Sequence, residues 1–230
     1  TPAADRSLPL RERKKLRTRR ALADAALRLF ASNGFGRTTL DDPVVMDILG
    51  VALREFSLYG LAGARVDAIA AQTKTSKRMI YYHFGSKEGL YEAVLAYGFS
   101  SIRRDEELRL DGLDPHQALA AFAGQAFDVH ADNPDFVHLV MQENLRNAAS
   151  LKKPSSIQPT NAIGLHMVER ILAQGQASGE FRSDVTALEV YANTIAMCFH
   201  FASNRASFSA VFGLDGDSEA YRQARKRAIL

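Results

Sequence analysis

The side chains best equipped for chemistry lie in one short stretch, TSKRMIYYHFGSK at 75–87. That chemistry is recognition, not bond making. Lys77, Arg78 and Lys87 are cationic donors. Thr75, Ser76, Tyr81, Tyr82 and His83 carry hydroxyl or imidazole groups, and Met79 offers a polarisable apolar tip. Gathered on one or two helical turns, such groups suit a polyanion with a patterned surface, the cations meeting phosphate oxygens and the others meeting groove edges. Ser76 stands where a helix N-cap is needed, because its hydroxyl can accept from a first-turn amide. Ile80 and Phe84 fall on the face that turns inward. Tyr81 has two readings at this point, packing against a neighbouring helix or facing a groove, and His83 can serve either a backbone contact or the helix end.

Nothing in the chain supports catalysis. It has no Gly-x-Ser-x-Gly elbow, no phosphate loop of the Walker type and no dinucleotide fingerprint. No catalytic residue and no cofactor is therefore expected. His130 and His138 are eight residues apart and no pair has the spacing of a metal site, so no metal is expected either. The single cysteine, Cys198, lies in an apolar helical run and reads as a small buried hydrophobe. No apolar run reaches the ~18 residues of a membrane span, and no signal-peptide pattern opens the chain, so no membrane partner and a cytoplasmic location are expected.

The elements that position the 75–87 stretch read as helices throughout. Apolar spacing and breakers predict helices over 44–58, 64–72, 76–84, 86–109, 115–132, 134–150, 160–178, 184–207 and 217–229, with Pro115 and Pro134 in first turns. No alternating run of useful length appears, so the fold class is all-α. A short helix, a four-residue turn and a second short helix between Val66 and Phe84 have the layout of a helix-turn-helix. In that motif the second helix lies in the major groove.

Over residues 44–96, VDAIAAQTKTSKRMIYYHFGSKEGLYEAVL with its Gly-ended preceding helix resembles the DNA-binding signature of the TetR family of bacterial transcriptional regulators. The parts occur in order: an Ile-Ala-Ala core, a Ser-led recognition helix ending Tyr-Tyr-His-Phe, and Ser-Lys-Glu opening the next helix. The resemblance implies groove contact by Thr75, Ser76, Lys77, Arg78, Met79 and Tyr81, and phosphate contact by Arg65, Tyr82, His83 and Lys87. Arg78 and Met79 depart from the family's usual Gly and Thr or Ser, so no operator sequence carries over.

The resemblance further implies a three-helix DNA-binding domain at 43–96 and an α-helical effector-binding and dimerisation domain at 97–230. Its partners would be double-stranded DNA, a second copy joined through helices 184–207 and 217–229, and a small-molecule effector. Phe99, Phe122, Phe127, His130, His138, Met141, Asn144 and His166 are the candidate effector contacts, with Phe136 and Leu145 beside them. Most residues of this kind at helical spacing are plain core. The expected function is a repressor bound to a palindromic operator and released by its effector. The rival reading is a helical interaction or architectural protein that binds DNA without sequence preference.

Charge is split along the chain. Residues 1–90 hold 16 Lys and Arg against 9 Asp and Glu, while residues 91–230 hold 13 against 17. Much of the excess comes from RERKKLRTRR at 11–20. The segment that follows matches the helix-turn-helix region at a constant offset: Leu27 with Leu53, Arg28 with Arg54, Phe30 with Phe56, Gly34 with Gly60, Leu40 with Val66 and Asp41 with Asp67. This earlier copy stops before a recognition helix. Its origin is open between a truncated duplication, an amphipathic arm and a splice near 42–43. Residues 1–42 are expected to act as a basic arm, with 11–35 an added helix that offers charge to phosphates. Deleting 1–42 should then weaken binding to every duplex and flatten its salt dependence while leaving sequence preference intact; affinity measured across a salt series checks this.

Overall fold

The computed structural model describes residues 42–104, 112–152 and 157–230. The basic arm and the earlier copy lie outside the described residues. Among those described there are nine helices and no strand: α1 (Pro43–Gly63), α2 (Val66–Gln72), α3 (Lys77–Phe84), α4 (Lys87–Arg104), α5 (Pro115–Asp132), α6 (Pro134–Leu145), α7 (Ile157–Ser178), α8 (Ala187–Phe212) and α9 (Glu219–Ile229). The chain divides into two units, Thr1–Met46 and Asp47–Leu230. Of the first, residues 42–46 are described; they form the opening turn of α1, where Asp42 Oδ1 accepts from the Val44 amide at 2.8 Å.

In the second unit α1 kinks where the sequence places its glycine. Gly60 has φ 62° and ψ −179°, a backbone region open essentially to glycine alone. A Cβ there would also lie 2.8 Å from Gln142 Oε1 of α6. One further helical turn, to Gly63, follows the kink. α2 and α3 then lead into α4, which runs through the boundary expected after residue 96. The front of the molecule and the part behind it therefore share this helix.

Behind α4, α8 packs on α5 and α7, and α4 packs on α6 and α7. Helix starts are set by short polar signals. Asp114 and Gln117 form a reciprocal capping box at α5, ahead of Pro115. Thr186 and Glu189 do the same at α8, which moves its start to Ala187 from the expected 184. α9 buries none of its side chains fully. It is held to α5 by charge, Arg222 on Asp128 and Asp132 and Lys226 on Asp128, and Arg222 holds the Asp132 carboxyl below the usual carboxylate range.

α6 ends at Leu145 rather than 150, for a reason that lies in one side chain. Asn147 and Ala148 both take positive φ, 55° and 56°, which costs roughly 1 kcal/mol or more for alanine. The turn wraps the fully buried carboxylate of Glu143. Glu143 Oε1 accepts from the Ser150 and Leu151 amides, and Oε2 accepts from Arg146 Nη1 at 2.9 Å. The Arg146 guanidinium sits 5.2 Å over the ring of Tyr91 on α4, and Tyr91 meets Phe56 of α1 edge to face at 5.0 Å. The Tyr91 hydroxyl lies beside Glu143 without reaching hydrogen-bond geometry, and burial, then the Glu143 charge, push its pKa up to about 12. Glu143→Ala removes the partner of Arg146 and of two amides, one of them buried. It should lower the free energy of unfolding by about 3 kcal/mol, and Glu143→Gln by less, as read by chemical denaturation.

Candidate nucleic-acid interface

Two carboxylates of α1 fix the ends of α2. Glu55, nearly buried, accepts from the Arg65 amide at 2.9 Å at the start of α2. Asp47 accepts from the Lys74 amide at 3.2 Å just past its end. Val66 and Ile69 of α2 and Ile80 of α3 bury against the rest of the motif. The turn is closed by the Thr73 amide on the Ile69 carbonyl and by Thr73 Oγ1 on that of Ala70.

α3 is short and amphipathic, so its ends matter. Ser76 caps it as expected, its Oγ accepting from the Met79 amide at 3.3 Å. Gly85, at φ 74°, closes the other end with its amide on the Tyr81 carbonyl. Ser86 caps α4 through the Gly89 amide at 3.0 Å. No capping box forms there because Gly89, at the third position, has no side chain to return a bond. Glycine is required at 89 for another reason: a Cβ would stand 2.2 Å from the Phe84 carbonyl oxygen.

With Ile80 inward, α3 presents Ser76, Lys77, Arg78, Met79, Tyr81 and Tyr82 to solvent. Tyr82 is 70% and Tyr81 38% exposed, so neither ring is fully packed against a neighbouring helix. Thr75, His83 and Lys87 are half-buried, and Arg65 is exposed beside α2. Two of the expected cations already have partners. Lys77 Nζ lies 2.9 Å from Asp67, and Lys87 Nζ donates to the Ala62 carbonyl at 3.1 Å, tying α4 to the end of α1. No ion pair engages Arg78 among the described residues.

The candidate effector contacts do not gather in one place. Phe122 belongs to a core cluster with Ala118, Val168 and Ile171. Phe127 belongs to a second, with Ala126, Cys198 and Phe201. Phe99 and Phe136 meet edge to face at 5.0 Å in a third. His138 is half-buried, while Met141, Asn144, Leu145 and His166 are exposed. His130 is buried with Nδ1 2.7 Å from the Ala126 carbonyl, so that nitrogen carries the proton; burial lowers its pKa and keeps the ring neutral. Cys198 is buried as expected, and burial pushes its thiol up to about 12. A small cavity lies elsewhere, between α8 and α9, lined by His200, Asn204, Arg205, Phe208, Tyr221 and Arg225 among others.

Residues 48–94 match the family described as bacterial regulatory proteins of the tetR family, and residues 115–230 match the tetracyclin repressor-like C-terminal domain. The chain belongs to the TetR family. The matched segment covers the capped α2–α3 unit of the later copy and leaves the earlier copy outside. The HTH-type transcriptional repressor NicS of Pseudomonas putida is 34% identical over 170 residues, which span 74% of this chain and 80% of that protein. Among solved structures, the regulator SCO4942 of Streptomyces coelicolor is similar at 29% identity and a TM-score of 0.63, covering 81% of this chain and 96% of that one. The regulator FadR of Bacillus subtilis, solved in complex with stearoyl-CoA, shares the fold at 17% identity and a TM-score of 0.56, over 80% of this chain and 96% of that one. This TetR-family chain is a DNA-binding transcriptional regulator.

Sequence reasoning missed Asp47, Glu55 and Asp67. Their partners lie ten or more residues away in sequence, beyond any helix period. Gly89→Ala should displace α3 from α4. The expected result is a loss of duplex affinity of tenfold or more, a magnitude of ~1.4 kcal/mol, measured by fluorescence anisotropy on a bound duplex.

Proposed function

We propose that the protein represses transcription as a two-fold homodimer seated on a palindromic duplex, and that a small-molecule effector releases it. The observation that carries this reading is the capped α3, with Arg78, Met79, Tyr81 and Tyr82 exposed around a buried Ile80. Arg78 reads a base edge in the major groove, where an arginine pairs with guanine O6 and N7. Arg65, His83 and Lys87 face the backbone, with Thr75 and Ser76 at the groove entrance. Two such helices one duplex turn apart read a palindrome, which sets the two-fold symmetry.

The second copy docks on the outer faces of α8 and α9. Leu188, Met197, Phe208, Val211 and Phe212 are exposed along α8, and an apolar row of this length is the kind of surface a subunit covers. The effector is taken up among α4 to α7. It acts by favouring a helix arrangement in which the recognition helices no longer match successive grooves. The protein works in the cytoplasm, and the reading calls for no catalytic step. No helix among the described residues is long and apolar enough to cross a membrane.

The test is binding of the purified protein to a duplex from its own promoter across a salt series. Affinity should fall by about 10³ or more between 50 and 200 mM salt, as expected for six or more phosphate contacts. Arg78→Ala should cost about 1–3 kcal/mol on the selected duplex and little on a scrambled one. Equal losses on both would support the architectural reading, and salt-insensitive or absent binding would remove DNA recognition altogether.

A further inference from the structure

The first turn of α3 holds two cations, Lys77 and Arg78, and no acid. That is an unfavourable arrangement, because the amino end of a helix already carries partial positive charge. The missing negative charge comes from α2. Asp67 places both carboxylate oxygens 2.9 Å from Lys77 Nζ. The hydrogen bond to Asp67 holds the Lys77 pKa above the ordinary lysine value, against a lowering influence of Arg65.

Building on the operator-binding reading, we propose that Asp67 is a positioning residue for sequence readout: it holds Lys77 against the backbone of the motif and aims the ammonium at a base edge instead of a phosphate. An ammonium has three donors. With both carboxylate oxygens engaged, at least one donor is left for a further acceptor at the start of α3, and a lysine there suits guanine O6 or N7. A Lys77 that leaves Asp67 for a phosphate leaves a bare carboxylate facing a polyanion. The pair therefore taxes purely electrostatic binding and spares the base-reading mode. Both side chains are about half exposed, 47% and 59%, so the pair contributes little to the stability of the free protein. Its effect belongs to the interface, where water is excluded and a misplaced charge counts.

The experiment is selection from a randomised duplex library with the full chain, alongside Asp67→Asn, Asp67→Glu and Lys77→Met, followed by affinity against salt on the selected and a scrambled duplex. Asp67→Asn should bind the scrambled duplex about three- to tenfold more tightly, with a salt slope steeper by about one counterion. It should also lose guanine preference at the same half-site position that Lys77→Met loses, and Asp67→Glu should restore it. An Asp67→Asn protein with an unchanged motif and slope overturns the inference while leaving operator binding intact. A loss of helix by circular dichroism in Asp67→Asn would assign the residue to folding and overturn it too. A parent protein that selects no motif overturns the operator reading itself, and this inference with it.

Discussion

A carboxylate with no exposed surface destabilises a fold unless every lone pair is met, and the end of α6 is shaped around meeting those of Glu143. Two backbone amides and one guanidinium converge on it, and two residues accept left-handed backbone so that the chain can bend that far. The arrangement reaches beyond its own turn. Arg146, held by Glu143, covers the ring of Tyr91, and Tyr91 abuts Phe56 in the core of the helix-turn-helix. One buried charge thus fixes the geometry between α6, α4 and α1. The Gln142 side chain approaches Gly60 at a second point of the same contact.

The DNA-facing motif uses acids in the same way at smaller scale. Glu55 and Asp47 hold the ends of α2, and Asp67 joins α2 to α3. A motif of 7- and 8-residue helices cannot rely on helix propensity, since isolated helices this short do not persist. Side-chain carboxylates on exposed amides and ammonium groups supply the orientation that length does not. They also explain why a basic recognition surface is held together by negative charge.

How much of this was legible in the sequence depends on range. Pro115 and Pro134 fixed the starts of α5 and α6, and Ser76 fixed that of α3, because first-turn signals act within three residues. The all-α class and the recognition helix were legible for the same reason. The end of α6 was not, since Glu143 looks like any polar residue of QENLRNAAS until its partners fold back upon it. The start of α8 was readable in retrospect, because Thr-x-x-Glu at 186–189 is a capping box. Phe122 and Phe127 both looked suited to line one pocket, yet they fill different core clusters, because helical spacing reports an inward face and not which neighbour waits there.

The carboxylate at Glu55 gives the earlier copy at 25–42 a different meaning. At the same offset that aligns Phe30 with Phe56, position 55 corresponds to Leu29 and position 47 to Ala21. The copy kept the apolar residues and the glycine but has neither acid that seats α2. Appending a second recognition helix behind it would not yield a second reader. A working graft would have to restore both acids, a glutamate at 29 and an aspartate at 21, before any question of base preference arose, so the boundary between bearing charge and bearing information is drawn by two carboxylates.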